Sequence, residues 1–485
     1  MTAVPAVAMV ATGAWVYPAA AAPAQTLACG SVVTHSTTLT GDVGPCAGDG
    51  LTIAANNVHL NLNGHKVFGT FSPAGADGIP FAHNASSGVN FAGNNTGNGP
   101  AGVRFADVTG STLGNGEVFN FSVGVLIDHG SSNTVTGIDA HDNVGAGSND
   151  NWGDGISADF SNGNTIRGNV ADHNGVYSGI SIVDASSNNM VADNQVADNN
   201  IAFGNFGIRV EGPNALNNVV QGNTVTGSYN SGIAVLPSCT NIFTSVSLPL
   251  QCMANGVPNV ANTGTIIRDN VADTNGANGI VLFAMGTSYV YQPTDETITG
   301  NTTDNNTGDG ISLFGGGCTN NPSPTSPITC AATNNVISHN TSLHNGYLSV
   351  QQGNSPGNGI TLGSGANNNT VDHNTVDNNA GDGIQLQIGD IYGGPPDYPV
   401  IGTIPGSGAS NNVLVHNVGL GNKVFDGEDQ TPGCDNNIWS HNVLQTVNQP
   451  CVLGSGPRAG SVPPGQMSKA TNQSNGMAFA RHGHI

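Results

Sequence analysis

Charge is the scarcest thing in this chain. Only 8% of its 485 residues are Asp, Glu, Lys or Arg, and only nine are Lys or Arg, against 31 acids, for a net charge of −22. A phosphate backbone demands a basic stripe, so nucleic acid is excluded as a natural partner. A strongly anionic polymer is also a poor match unless a cation bridges it. Aromatic residues make up 5%, and no window is rich in Leu, Glu and Lys or spaced for i, i+4 charge pairs, so helical signals are almost absent. The apolar stretch Val4 to Val16 is short and flanked or broken by Pro5 and Pro18, which makes a poor transmembrane span. There is no CxxC spacing, nucleophile elbow or phosphate loop above the glycine background.

What is abundant is glycine, with 70 residues, and it recurs with a period. Gly155-Ile156, Gly179-Ile180, Gly207-Ile208, Gly232-Ile233, Gly279-Ile280, Gly310-Ile311, Gly359-Ile360 and Gly383-Ile384 each open a short alternating apolar run, at spacings as tight as 24 and 25 residues. A period in the twenties means stacked supersecondary units, and one unbroken repeat means one elongated domain rather than two or three. Each unit holds three runs of strand periodicity, punctuated by Asn, Gly and Asp that tolerate positive φ. The expected fold is all-β, a single-stranded right-handed parallel β-helix with disulfide-clipped loops and capped ends. Its isoleucines form one internal stack. Asn194, Asn223, Asn270, Asn301, Asn340, Asn374, Asn417 and Asn442 form a ladder from coil to coil.

Along the chain, residues 1–24 read as a signal peptide ending in an A-x-A pattern. Residues 25–66 read as the N-terminal cap and first coil, 67–453 as the β-helix, with insertions near 237–263 and 315–333, and 454–485 as a flexible tail. The eight cysteines fall into four local couples, Cys29 with Cys46, Cys239 with Cys252, Cys318 with Cys330 and Cys434 with Cys451. Sequential pairing is the simplest of the connectivities. The middle couples would clip loops where the Gly-Ile spacing jumps to 47 and 49 residues. Persisting disulfides imply an oxidising compartment, hence a secreted or surface protein.

The motifs Leu62-Asn63-Gly64-His65 before Val67-Phe68-Gly69, Asp154-Gly155-Ile156 and Asn368-Asn369-Thr370-Val371 resemble the right-handed parallel β-helix superfamily of pectate lyases, polygalacturonases and alginate epimerases. Over about residues 50–445 the chain is most similar to bacterial secreted proteins described only as right-handed β-helix repeat proteins. The resemblance implies the fold, and a superfamily of lyases, hydrolases, epimerases and non-catalytic members. The Asn-Thr-Asp, paired-Asp and Arg-Ile-Lys segments of polygalacturonases do not occur. For a lyase base the coils offer Arg104, Arg167, Arg209 and Arg268. Asp139-Ala140-His141-Asp142 approaches the epimerase Asp-Pro-His-Asp segment without its proline, but its register is that of an ordinary repeat turn.

Counting outward positions beyond each inward Ile or Val gives the column Asp128, Asp159, Val183, Glu211, Leu236, Phe283, Phe314, Gly363 and Gln387. Stacked carboxylates about 5 Å apart suit acid/base work on a glycosidic bond. Asp128, Asp159 and Glu211 are the candidate acid/base groups. Arg209 is the candidate for orienting substrate, and Phe283 and Phe314 for stacking on sugar rings. Asp172, Asp198, Asp273, Asp304 and Asp377 recur before turns and suit either turn capping or calcium. His339, His373, His416 and His441 each precede a ladder Asn. Repetition at one register reads as structural, and sequence shows no convergence for a metal site. The expected function is a secreted or surface protein that binds polysaccharide along one face, with cleavage by a lyase or hydrolase, or uronate epimerisation, as the candidate chemistries. The alternative is a non-catalytic structural or adhesin-like rod.

Overall fold

The computed structural model describes residues 24–70, 100–144 and 153–454, apart from 176, 184, 200–205, 212–214, 237–252, 255–256, 259–260, 284–291, 315–331, 348–356, 364, 389–407 and 435. Its backbone is a parallel β-helix whose coils each lay down one strand on three faces. On the first face thirteen strands stack in parallel, from Ser31–Val33 through Ile156–Asp159 to Gly427–Asp429. The second and third faces are joined where the long strands Thr112–Phe119 and Thr134–His141 run across both, giving one 25-stranded sheet.

Alternation of side chains along each short strand decides what lies inside. Ile156, Ile180, Ile208, Ile233, Ile280, Ile311, Ile360 and Ile384 are register partners on successive coils and fully buried. The glycine before each has no room for a side chain. A Cβ at Gly279 would lie 2.7 Å from the Gly310 carbonyl and 2.8 Å from Asn306 Nδ2.

The expected asparagine ladder is present and runs unbroken from Asn169 to Asn442, each Nδ2 donating to the Oδ1 of the next coil at 2.9–3.0 Å. Two further ladders escaped the sequence reading. One precedes the second face, with Asn133, Asn164, Asn189 and Asn218, then Asn335, Asn369, Asn412 and Asn437. The other follows the third face, with Asn143, Asn174 and Asn199, then Asn275, Asn306, Asn345, Asn379 and Asn422, and it ends on the Asp426 carboxylate. Three ladders at three corners satisfy the backbone donors that tight bends would otherwise leave unpaired.

Cys29–Cys46 and Cys434–Cys451 are disulfides. The couples Cys239 with Cys252 and Cys318 with Cys330 lie outside the described residues, as do most residues of the insertions they were expected to clip; of the first, Met253–Ala254 pairs antiparallel with Val257–Pro258. Closing a loop of separation 17 restricts the unfolded chain by roughly 3 kcal/mol. The double variant Cys434→Ala/Cys451→Ala is therefore expected to lose about that much stability in urea unfolding, and an unchanged midpoint would contradict the assignment.

Candidate functional site

The outer side of the first face carries three columns of side chains, two from alternation beyond the inward Ile and one from the residue before the Gly, where alternation breaks. The first column includes Asp154, Ser178 and Phe206. The second contains Arg104, Leu126, Ser157, Ser181 and Arg209. The third is the column anticipated from the sequence. Asp128 and Asp159 are direct register partners, as are Glu211 and Leu236, and Phe283 and Phe314. The Phe314 side chain lies outside the described residues.

This outer side is covered, unlike those of the other faces. Asp154 is 1% exposed, Asp159 3%, Arg209 6%, and Ser157 and Ser181 are fully buried, whereas Arg167 and Gln195 on the second and third faces are exposed. Charged groups held here feel a low dielectric, which strengthens every interaction among them. Arg209 Nη1 is 2.9 Å from Glu211 Oε2, and its guanidinium lies 4.5 Å from the centroid of the Tyr177 ring. Ser181 Oγ donates to Ser157 Oγ at 2.9 Å. Asp154 sits beside this set with Oδ1 lacking a hydrogen-bond partner. Burial pushes its pKa up to about 6, against the opposing charge of Arg209 and the Ser181 hydroxyl, while Glu211 adds to the rise. Burial likewise raises the Tyr177 phenol, so it stays neutral.

The residues chosen from sequence thus separate into two groups. Arg209 and Glu211 form one ion pair. Asp128 is held by Arg104 Nη1 at 3.2 Å and by His129 Nδ1 at 2.7 Å, and Arg104 also faces Asp49 at 3.6 Å. Asp159 stands between the two groups as Asp128's register partner. Beyond Glu211 the surface becomes apolar, where Phe206, Ala234, Leu236 and Val281 cluster with Phe283 against them. Near the other end, Gln385 Nε2 bridges Asp382 Oδ2 at 2.9 Å and Glu428 Oε2 at 2.7 Å. Burial, then the charge of Glu428, lifts Asp382 well above the usual carboxylate range.

Asp154 and Tyr177 were missed as site residues. Alternation counted back from Ile156 would place Asp154 inward; instead the chain breaks alternation at Gly155, whose Cβ would meet the interior Asn174 Nδ2 at 2.7 Å, and Asp154 turns to the outer side. The Asp139–Asp142 segment was expected to be a repeat turn, but Asp139, Ala140 and His141 end the strand Thr134–His141 and pair with Val170, Ala171 and Asp172, and only Asp142, at positive φ (52°), sits at the bend. The acidic column needs one correction. Asp172 pairs with Ala197, so Asp198 lies one residue further on, at the positive-φ corner (49°). Asp377 Oδ1 accepts from the Leu420 amide of the next coil at 2.8 Å, so it ties coils together rather than capping its own turn. Among the described residues this column does not bring three carboxylate ligands together.

No helix among the described residues is long and apolar enough to cross a membrane. No curated protein matches the sequence. Among solved structures the chain is similar to the Dettilon tailspike protein (18% identity, TM-score 0.47, covering 80% of this chain and 58% of that one). It is also similar to the A-module of the Azotobacter vinelandii mannuronan C-5 epimerase AlgE6 (15%, 0.45, 81% and 91%) and to the periplasmic alginate epimerase AlgG (12%, 0.43, 86% and 72%). The chain thus spans less than two thirds of the tailspike's length. Residues 46–248 match the family model described as the right handed beta helix region. With the stacked parallel sheets continuing to Asp429, the chain is a right-handed parallel β-helix protein.

Proposed function

We propose that this is a secreted or surface protein that binds a polysaccharide along the outer side of its first face and cleaves it by acid/base catalysis. The observation that carries the reading is Asp154. It is a buried carboxyl with a free oxygen and a pKa near 6, and it feels the charge of Glu211, the carboxylate that Arg209 holds in place. Two carboxyl groups in unlike environments are what glycosidic hydrolysis requires. Asp154, protonated, donates to the leaving oxygen. Glu211 and Asp159 are the candidates for base or nucleophile, and Arg209, seated on Tyr177, orients the substrate. Asp128, engaged by Arg104, frames one end, and Phe283 offers stacking surface at the other. The two disulfides support an oxidising location, and the acidic balance disfavours nucleic acid.

A panel of plant, algal and bacterial polysaccharides, assayed for binding, new reducing ends and unsaturated products, tests this. New reducing ends without unsaturation are expected, with the rate falling as pH rises through about 6 because Asp154 loses its proton. Asp154→Asn is expected to lower turnover by about 10²–10⁴-fold while binding persists. Unsaturated products would reassign the chemistry to elimination. No binding to any polymer would favour the structural, adhesin-like rod.

A further inference from the structure

The corner between the second and third faces carries a pattern that neither packing nor the proposed site explains. One residue of every coil there adopts positive φ. In six consecutive coils it is Gly137, Gly168, Asp193, Gly222, Asp269 and Gly300, and in the last four it is His339, His373, His416 and His441, at φ 53–57°. Glycine takes this conformation without steric cost, and Asn, Asp and His are the other residues that adopt it most readily, as His129, His173 and His344 do at other corners. What sets the last four coils apart is that the same residue, histidine, recurs in succession where the earlier coils mix Gly, Asp and Asn.

Their rings stack outside the coil with centroids 5.1, 4.6 and 5.3 Å apart, close to the spacing of adjacent strands. Only the coil of His373 adds a charge beside the stack. The strand Thr370–Asp372 ends in Asp372, where the register neighbours are Ser338, Val415 and Ser440. Asp372 Oδ1 lies 2.6 Å from His373 Nδ1 and 3.3 Å from His416 Nδ1. The ligand atoms of the three residues lie within 4.8 Å of one another. Both imidazoles are about half exposed, so an ion reaches them from solvent.

We infer that Asp372, His373 and His416 form a binding site for a divalent transition-metal ion of the zinc type. Two imidazoles and one carboxylate are a ligand set that Zn²⁺ takes, with a fourth position left for water. Tetrahedral bonds of about 2.1 Å place neighbouring ligand atoms about 3.4 Å apart. The two rings reach that geometry by rotating at the exposed surface, with each imidazole carrying its proton on Nε2. His339 and His441 stack on the outer faces of the pair and limit how far the rings can turn away. The site lies on a different corner of the coil from Asp154 and Arg209 and is independent of the proposed catalysis.

Zinc titration of the metal-stripped full-length protein by calorimetry tests the assignment, with His373→Asn/His416→Asn and Asp372→Asn as comparisons. Asparagine accepts positive φ, so the double variant keeps the corner. The tail histidines His482 and His484 remain in all proteins and cancel in the difference. The wild type is expected to bind one ion more than the double variant. Asp372→Asn is expected to weaken that ion by at least the roughly 10–100-fold that losing a supporting partner costs elsewhere. In zinc-soaked wild-type crystals an anomalous peak should lie between Asp372 and the two rings. Equal zinc uptake by wild type and double variant, or no peak at that position, would overturn the proposal.

Discussion

Asn301→Ala is expected to lower the free energy of unfolding by roughly 3–5 kcal/mol, near the upper end for one substitution. Asn301 sits in the middle of the unbroken ladder. Its Nδ2 donates to Asn340 Oδ1 and to the Ile267 carbonyl, both at 2.9 Å, and its Oδ1 accepts from the Asn270 amide and side chain, both at 3.0 Å. All are buried, so truncation strands the Asn270 amide and the Ile267 carbonyl without water. Each such group costs about 1–3 kcal/mol. Because every coil touches only its neighbours, the damage stays local. Urea unfolding should show a lower midpoint, and amide exchange should speed up in the coils of Asn270, Asn301 and Asn340 while those near Leu60 stay protected. A loss below about 1 kcal/mol, or uniform acceleration, would show that the ladder is not a cooperative support.

The second large effect is a pH dependence located at Glu296. The ladder before the second face is interrupted between Asn218 and Asn335 by Thr265 and Glu296, which are stacked in register. Glu296 is 1% exposed. Burial pushes its pKa up to about 8, with the Thr265 amide and hydroxyl opposing the rise and Asp295 adding to it. The folded protein therefore keeps this carboxyl protonated at neutral pH, whereas the unfolded chain releases the proton near pH 4.3. The resulting stability is fully present below about pH 4.3 and is lost as pH rises through about 8. The full change is on the order of 5 kcal/mol. Glu296→Asn replaces the acid by the amide that occupies this position in the next coil, Asn335. The variant is expected to match the wild type near pH 4.5 and to exceed it by a few kcal/mol at pH 8. Parallel curves across that range would contradict the assignment. Asp154 and Asp382 also lie above their ordinary values, but they are common to both proteins and cancel in the difference.

Much of the fold was legible because a parallel β-helix repeats its physics every coil. An inward Ile behind a Gly, or an Asn before the third face, recurs wherever the next coil needs the same contact. The ladders at the other two corners were less legible because single rungs are replaced, by Ser228 in one and by Thr265 and Glu296 in the other. The outward column was readable along the face, since alternation along a strand is strict. Asp154 was not, because it precedes the Gly-Ile mark, and nothing local says that this outer face is covered. That covering turns an ordinary acid into one with a raised pKa. The His-Asn pairs were visible as a repeat. Their convergence on Asp372 was not, since it depends on which way rings point at a positive-φ corner.

The proposed carbohydrate chemistry is assigned to the outer side of the first face. The most direct test is a crystal structure of the Asp154→Asn variant with an oligosaccharide from the polymer that the wild type processes best. Sugar density is expected across the substituted side chain at position 154, Arg209 and Glu211, continuing toward Phe283. Density on another face, such as over the Phe68, Phe119 and His141 stack, with the first face bare, would contradict it.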